Sequence, residues 1–245
     1  MVNRRLLIIG IALFMLTVLV RAPASWLIAV LPKLIDCQQP AGSVWRGACG
    51  QLRVGDTSLS DVHWQLHPLA LLTGKLEVAL QSADARAPGS ATVALSLTGR
   101  RTLTDLRAEL PVDTGFLPLF PSGWSGRLQL ALSSVEFKSG RLAAIHGTAT
   151  AHSLAQLQPP MSFGSFELHF ADAPSPDGAI SAQLRDVGGP LAVNGTLVVR
   201  NGSDYVLSGT AATRADASPE LIKIVEFLGP ADSQGRREFS VAGSR

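Results

Sequence analysis

The sequence predicts a mainly β protein that begins with a transmembrane helix, continues as a large antiparallel sheet and carries a short helix near its C-terminus. Three observations support this fold class. An uncharged apolar run occupies residues 6–20, and alternating apolar and polar residues recur from about residue 40 onward. Residues 219–228 combine helical spacing with signals for the start and the end of a helix.

The apolar run at residues 6–20, LLIIGIALFMLTVLV, is short for a membrane span. A helix rises about 1.5 Å per residue, so a bilayer core of about 30 Å takes roughly 20 residues. The run approaches that length if Arg21 extends its charge toward the headgroups and residues 22–24 lie in the interface. Trp26 is well placed for the membrane–water boundary. We therefore predict a single membrane-spanning anchor.

The charges around this run predict its orientation and leave two interpretations open. Arg4 and Arg5 have no acidic neighbour, which predicts a cytoplasmic N-terminus and export of the remaining chain. The alternative is a cleaved signal peptide, because residues 22–24, Ala-Pro-Ala, satisfy the small-x-small rule for cleavage after Ala24. Arg21 lies between the apolar core and that site, which favours an uncleaved anchor. Both interpretations export the rest of the chain.

The charge of the chain is unevenly distributed. Of 21 basic and 19 acidic residues, four basic residues and no acid lie within residues 1–35. The other 17 basic and 19 acidic residues give residues 36–245 a net charge of −2. They contain no basic cluster of the kind that binds phosphate, so we expect no nucleic-acid partner. We predict that residues 1–35 are the cytoplasmic tip, anchor and juxtamembrane segment, and that residues 36–245 form a periplasmic β-rich domain.

Cys37 and Cys49 are the two cysteines of the chain, and both follow the predicted anchor. An even number of cysteines in an oxidising compartment predicts a structural disulfide. This bond closes a loop of about a dozen residues, worth about 3 kcal/mol on the chain-entropy model. The alternatives are two free thiols or half of a metal site. A zinc site is disfavoured because no histidine lies between or beside the cysteines.

Strands are predicted by segments in which apolar and polar residues alternate, because alternation gives a strand one buried face. Turn signals with Gly, Asn, Asp or Pro recur every eight to fifteen positions and connect the segments as hairpins. The sheet is therefore predicted to be a long antiparallel meander. The segments are residues 76–80, 92–98, 128–132, 135–137, 166–170, 180–184, 191–193, 197–199 and 205–207.

Two helical segments are predicted after the anchor. In the first, residues 69–72 form a short turn between Pro68 and Gly74. In the second, residues 219–228, Ser218 can cap the helix and a Gly-Pro pair stops it. Its apolar stripe, expected to pack on the end of the sheet, consists of Leu221, Ile224, Val225 and Leu228.

A weak internal repeat suggests two duplicated halves within the β domain. The pattern Trp-x-Gly occurs at residues 45–47 and again at residues 124–126, 79 positions later. Chance is the alternative, since two copies do not make an array. The proline-containing residues 111–121 cannot form a central strand and are the predicted boundary between the halves.

Catalytic and metal-binding motifs are missing from the sequence. It has no G-x-S-x-G, no H-E-x-x-H and no P-loop. His63 and His67 would share one face of a strand about 13 Å apart, too far to share a metal ion. We therefore expect no catalytic, cofactor-binding or metal-binding residues, no cofactor, and a protein that is not an enzyme.

The tryptophans and the two sequons are predicted to be structural. Trp45, Trp64 and Trp124 lie beside glycines or turns and are expected to be buried anchors of the sheet, with an exposed ligand platform as the alternative. The sequons at residues 194–196 and 201–203 are expected to be turns.

Several motifs in a fixed order resemble those of the type II secretion system protein N (general secretion pathway protein N) family. Residues 42–47, GSVWRG, look like the family's G-x-V-W-x-G segment. Residues 64–76, WQLHPLALLTGKL, look like its W-x-L-x-P-x-x-L-x-x-G-x-L segment. Similar matches are Pro23-Ala24-Ser25-Trp26, Gly189-Pro190-Leu191, Asn194-Gly195, residues 205–209 and residues 221–232.

This resemblance implies an accessory inner-membrane component of the machine that exports folded proteins across the outer membrane of Gram-negative bacteria. It implies no catalytic motif and a docking or assembly role toward other secretion-system subunits. The strands also resemble those of AsmA-like proteins, which implies a curved sheet. The resulting alternative is a periplasmic protein of envelope assembly that handles lipid in an apolar groove.

Overall fold

The computed structural model describes residues 4–30, 35–55, 57–113, 123–172, 178–200 and 204–244. The chain folds as two compact units, Met1–Asp84 and Ala85–Arg245. In each unit the described strands follow one another in chain order, and short helices accompany them. The mainly β architecture and the large antiparallel sheet were predicted from the sequence and are confirmed.

Unit 1, Met1–Asp84, joins helices to a four-stranded antiparallel meander. Strand β1 pairs with β2, β2 with β3, and β3 with β4. The predicted helical turn at residues 69–72 is present as α3. The elements described in this unit are α1 (Arg4–Val20), α2 (Ala24–Val30), β1 (Ile35–Gly42), β2 (Arg46–Val54), β3 (Thr57–Leu66), α3 (Pro68–Leu71) and β4 (Lys75–Ser82).

Helix α1 contains the whole apolar run and is 17 residues long. Within the part of the chain that the structure describes, no helix has both the length and the apolar character needed to span a membrane. The predicted transmembrane anchor at residues 6–20 therefore stays a prediction.

Unit 1 buries its side chains on one face of the meander. Val62, Trp64 and Leu66 alternate along β3 and point into this face, as the period of two requires. Cys37, Cys49 and Ala24 complete the buried cluster. Of the tryptophans predicted to anchor the sheet, Trp64 is buried, while Trp45 and Trp124 are half-buried.

Unit 2, Ala85–Arg245, is an antiparallel meander with one helix among its described residues. Each strand from β5 to β13 pairs with the next along the chain. The elements are β5 (Gly89–Ser96), β6 (Arg101–Pro111), β7 (Trp124–Lys138), β8 (Arg141–Leu157), β9 (Pro160–Phe170), β10 (Ile180–Gly188), β11 (Leu191–Arg200), β12 (Asp204–Thr213), α4 (Pro219–Glu226) and β13 (Arg237–Gly243).

Two strands of unit 2 each join two of the predicted segments. The segments 128–132 and 135–137 are parts of the single strand β7, whose alternation is interrupted by a register shift between Leu132 and Ser134. The segments 191–193 and 197–199 both belong to β11. Residues 194–196 were expected to form a turn, and that expectation is wrong, because they pair with Thr210, Gly209 and Ser208 of β12. The second sequon, residues 201–203, lies outside the described residues.

Helix α4 buries half of its predicted apolar stripe. Leu221 and Val225 are buried, whereas Ile224 and Leu228 remain exposed. The helix begins where the sequence predicts, because the Ser218 hydroxyl accepts the Leu221 N–H at 3.2 Å. The helix contacts β12 and β9, and Leu221 and Val225 are the members of the stripe that it buries.

The apolar core of unit 2 lies on one face of its sheet. Leu132, Val135, Phe170, Ile180 and Ala182 are buried there. Around them lie side chains that are only partly buried, among them Leu103, Leu106, Ile145, Leu168 and Leu197.

The predicted boundary between duplicated halves begins at Pro111, the last residue of β6, and residues 114–121 lie outside the described residues. The duplication stays a prediction.

Candidate functional site

Cys37 and Cys49 form a disulfide between the neighbouring strands β1 and β2, with their Cα atoms 5.7 Å apart. Both cysteines are buried against Val62 and Trp64 of the unit 1 core. The bond therefore links β1 covalently to β2, and the structural role predicted for it stays a prediction.

The motif at residues 42–47 connects the helices of unit 1 to its sheet. The Trp45 indole N–H donates to the Leu19 carbonyl at 2.8 Å, in the last turn of α1. The Val44 N–H donates to the Ala22 carbonyl at 2.9 Å. The Trp64 indole N–H donates to the Val44 carbonyl at 3.1 Å. The family-like GSVWRG segment thus hydrogen-bonds the end of α1 and the residue Ala22 after it to the strands, which its composition alone did not reveal.

His67 in unit 1 and His146 in unit 2 each contact a polar partner within the same unit. His67 follows β3, and its Nδ1 lies 3.0 Å from Glu77 Oε1 across the β3–β4 connection. His146 Nδ1 lies 3.2 Å from the Ala171 carbonyl. Among the described residues, no three His, Cys, Asp or Glu side chains lie close enough together to hold a metal ion.

A charged clamp that the sequence did not reveal holds the β10–β11 hairpin. Asp186 accepts the Val193 N–H at 3.0 Å and pairs with the Arg214 guanidinium. Arg214 also donates to the Gly189 carbonyl at 2.7 Å. Burial alone would raise the pKa of Asp186, but the bonds from Arg214 and Val193 favour the carboxylate and hold its pKa below the ordinary value. The only indication of this ion pair in the sequence is that Asp186 lies two residues before a Gly-Gly-Pro turn.

A polar groove of about 470 Å³ opens on unit 2 where β7 and β8 bulge. Its charged groups are already partnered: Arg127 Nη1 lies 2.6 Å from Glu109 Oε1, and His152 Nε2 lies 3.2 Å from Gln129 Oε1. These described contacts do not pair a general base with a nucleophile, so they give no indication of catalysis. The groove instead presents polar side chains that could recognise a polar partner. It is lined by Glu109, Gly126, Arg127, Gln129, His152 and Ser153.

The outer edge of β13 is a regular strand edge. Seven consecutive residues of β13 pair with β12 without a register shift, and β13 ends the strand order of the described residues. In an antiparallel strand, successive N–H groups face opposite edges, so part of the β13 backbone remains available to a further strand. A groove of about 500 Å³ lies over paired residues of β12 and β13, and it is lined by Ser208, Gly209, Thr210, Glu238, Phe239 and Ser240.

The edge of β1, the first strand of the unit 1 meander, is less suited to strand addition. Pro40 lies within β1 and has no N–H to donate. Gln39 has a positive φ of 56°, which breaks the extended path of the strand. Helix α2 also packs against β1. The β13 edge is therefore the stronger candidate for pairing with another chain.

These features define a class of protein: a β-sheet protein of two units, each containing an antiparallel meander, with a regular strand edge at β13. The chain belongs to the type II secretion system protein N family, because the family model described as "Type II secretion system (T2SS), protein N" matches residues 33–240. The membership expected from the motif order is therefore confirmed.

Three curated relatives support this assignment, and each is named "Type II secretion system protein N". The protein of Vibrio cholerae serotype O1 is 24% identical over 237 residues, covering 94% of this chain and 93% of the relative. The protein of Pectobacterium carotovorum is 23% identical, with 91% and 89% covered. The protein of Aeromonas hydrophila is 24% identical, with 89% of each covered. No solved structure matches the chain.

Proposed function

We propose that this chain is an accessory inner-membrane component of the type II protein secretion system, without enzymatic activity. Its periplasmic β domain acts as a docking or assembly module for the export of folded proteins across the outer membrane. The observation that carries the proposal is the family match over residues 33–240. The β13 edge supplies a physical means of docking, because an exposed antiparallel edge accepts a strand from a partner.

The proposal includes a single membrane-spanning anchor formed by α1, with the N-terminus in the cytoplasm. Arg4 and Arg5 before the apolar run, with no acid nearby, support this orientation. The disulfide supports placement of unit 1 in an oxidising compartment, which the periplasm provides.

A crosslinking experiment in cells tests docking at the β13 edge. Photoreactive residues placed at Ser240, Val241 and Ala242, all exposed, are expected to capture other secretion-system subunits. The control is Leu97, which is 90% exposed in the β5–β6 turn. Capture at Leu97 alone, or no capture of secretion subunits at any β13 position, would contradict the proposal.

Proline substitutions separate edge pairing from general damage to the fold. Of the neighbours Ser240 and Val241, one N–H faces β12 and the other faces the open edge. S240P and V241P therefore form a matched pair, tolerated at the outward position and destabilising at the inward one. The outward proline is expected to retain the native thermal transition and to lose the captured partner. Retained capture by both folded variants would show that β13 does not dock through its backbone.

A second candidate function is the handling of lipid at the envelope. The observation favouring it is the ring of partly buried apolar side chains around Leu132 and Phe170 on one face of unit 2. Mass spectrometry of residues 36–245, purified without detergent and verified as folded by circular dichroism, tests it. Stoichiometric phospholipid would favour lipid handling over docking, and its absence would favour docking.

A further inference from the structure

Helix α3 and the residue after it present three exposed leucines in a row of seven uncharged residues, 68–74. Leu69 is 77% exposed, Leu71 46% and Leu72 84%. Single exposed leucines are ordinary on protein surfaces, but a contiguous cluster marks a surface that contacts an apolar partner. Helix α3 itself buries none of its own residues. The turn therefore presents its apolar side chains outward.

The backbone of this turn is internally hydrogen-bonded. The Ala70 N–H donates to the His67 carbonyl at 3.2 Å, and the Leu72 N–H donates to the Leu69 carbonyl at 3.2 Å. The Thr73 hydroxyl donates to the Ala70 carbonyl at 2.8 Å. Internal pairing of this kind is what a segment needs in order to enter an environment poor in water.

Hydrogen bonds place this turn at the end of unit 1 that receives α1. The last residue of β3, Leu66, donates its N–H to the Trp45 carbonyl at 2.8 Å. The indole of the same tryptophan donates to the Leu19 carbonyl at 2.8 Å. Helix α3 begins two residues after Leu66, so one tryptophan links the start of the apolar turn to the end of the apolar helix.

We propose that α3 is an interfacial membrane element, with Leu69, Leu71 and Leu72 inserted into the leaflet at which α1 ends. The occupant of this surface is the phospholipid bilayer. The inference rests on the proposed anchoring of α1 in the inner membrane and adds a second contact to it.

The length of α1 favours this occupant. Seventeen helical residues extend about 26 Å, which is shorter than a bilayer core of about 30 Å. A short span draws its flanking residues into the interface, and the elements bonded to its end move with it. Trp26 of α2 is exposed, as is common for interfacial tryptophans, and exposed Arg21 and Lys75 flank the region with charges that suit lipid phosphates.

Depth-dependent fluorescence quenching tests the proposal on the full chain with its disulfide intact. An environment-sensitive fluorophore is placed at position 72, and the protein is reconstituted into vesicles of phosphatidylethanolamine and phosphatidylglycerol. The matched control carries the fluorophore at Leu97, which is 90% exposed in the β5–β6 turn. A third labelled variant, at Phe14 of α1, reports on the anchor itself. Each variant is first shown to keep the unlabelled protein's thermal transition.

We expect blue-shifted emission and strong quenching by shallow spin-labelled lipid at position 72, and neither effect at position 97. If position 14 is quenched by deep spin-labelled lipid while position 72 behaves like position 97, the α3 proposal is overturned and the anchor stands. If position 14 is not quenched, both proposals fall. Water exposure of position 72 in vesicles, combined with protection in whole cells, would assign α3 to a protein partner instead and would also overturn the proposal.

Discussion

At two cross-strand pairs among the described residues, an aromatic ring occupies the space that a side chain on the opposite glycine would need. Gly47 pairs with Trp64, and a Cβ at Gly47 would lie 2.2 Å from the indole ring. Gly243 pairs with Tyr205, and a Cβ there would lie 2.6 Å from the phenol oxygen. Coverage of a strand glycine by an aromatic neighbour compensates for its missing side chain. The glycine of the Trp-x-Gly motif is thus required for packing.

Replacing Gly47 with alanine should destabilise unit 1 by about 1–3 kcal/mol, because the methyl group forces the buried Trp64 out of its position. The matched control is G50A on the same strand, whose new methyl group meets mainly the flexible end of Gln39. Urea unfolding followed by tryptophan fluorescence measures both variants. Equal stability of the two would show that the Trp64 ring has room to move.

The Asp186–Arg214 clamp should make the stability of unit 2 depend on pH. Because the pKa of Asp186 is lowered on folding, its contribution is fully present above the ordinary aspartate pKa of about 3.9 and is lost as the pH falls through the lower folded value. D186N should cost about 1–3 kcal/mol at pH 7, toward the lower end because Arg214 is substantially solvent-exposed.

Thermal unfolding between pH 7 and pH 3 measures this effect. The difference between wild type and D186N should shrink as the solution is acidified, while D216N, at an exposed turn position, should follow the wild type throughout. A difference that is constant with pH would mean that Asp186 acts through packing and not through its charge.

At the scale of elements, the disulfide between β1 and β2 should stabilise unit 1 by about 3 kcal/mol, because it closes a loop with a sequence separation of 12. The C37A/C49A variant should unfold at lower urea concentration than the oxidised wild type. Dithiothreitol should lower the wild-type midpoint and leave that of the variant unchanged. An unchanged midpoint in the variant would indicate that the native sheet alone holds β1.

Helix α4 provides a matched pair of positions on one predicted stripe. L221A removes a side chain that is 1% exposed and should cost about 2–5 kcal/mol through the cavity that it leaves. I224A removes one that is 45% exposed and should cost less than 1 kcal/mol. Thermal unfolding of both variants checks the difference. Equal losses would mean that Ile224 packs as deeply as Leu221.

The same helix shows how far sequence reasoning reaches at this scale. Ser218 and Pro219 predict its start, because capping and proline geometry are local. The depth of Ile224 depends on which sheet residues lie beneath the helix, and that is a long-range property. Likewise, alternation predicts the existence of most strands, but it breaks at the bulge in β7 and at Asn194-Gly195 in β11, where pairing with the neighbouring strand overrides local turn preference.

The candidate docking edge shows the same contrast between local features, which the sequence predicts, and long-range features, which it does not. The sequence shows that the protein is a meander, and every open meander has two terminal strands. Strand β1 was not among the predicted strands, so the effect of Pro40 on its edge is known only from the structure. The regular pairing of β13 could not be predicted, because residues 237–243 show only partial alternation and lie beyond the last helix. The Asp186–Arg214 ion pair could not be predicted from the sequence either, because its two residues lie 28 positions apart.

At the scale of the whole molecule, the proposed function requires that the N-terminal helix stay attached to the β-sheet. The structure supports retention because residues 22–24 are part of the fold of unit 1. Ala22 and Ala24 are buried, the Ala22 carbonyl accepts the Val44 N–H, and Pro23 forms a β-bridge with Ser43. A peptidase would have to reach the Ala24–Ser25 bond before this segment folds.

Intact-mass analysis of the protein purified from membranes of its host should therefore show a chain that retains α1. Arg21 contributes to this outcome, because a charge between the apolar core and the cleavage position disfavours processing. The control is a variant in which a cleavable signal peptide replaces residues 1–24, which should yield a shortened soluble chain under the same detection. A wild-type mature protein beginning at Ser25 would exclude the anchor, and with it both the inner-membrane location and the insertion of α3 that depends on it.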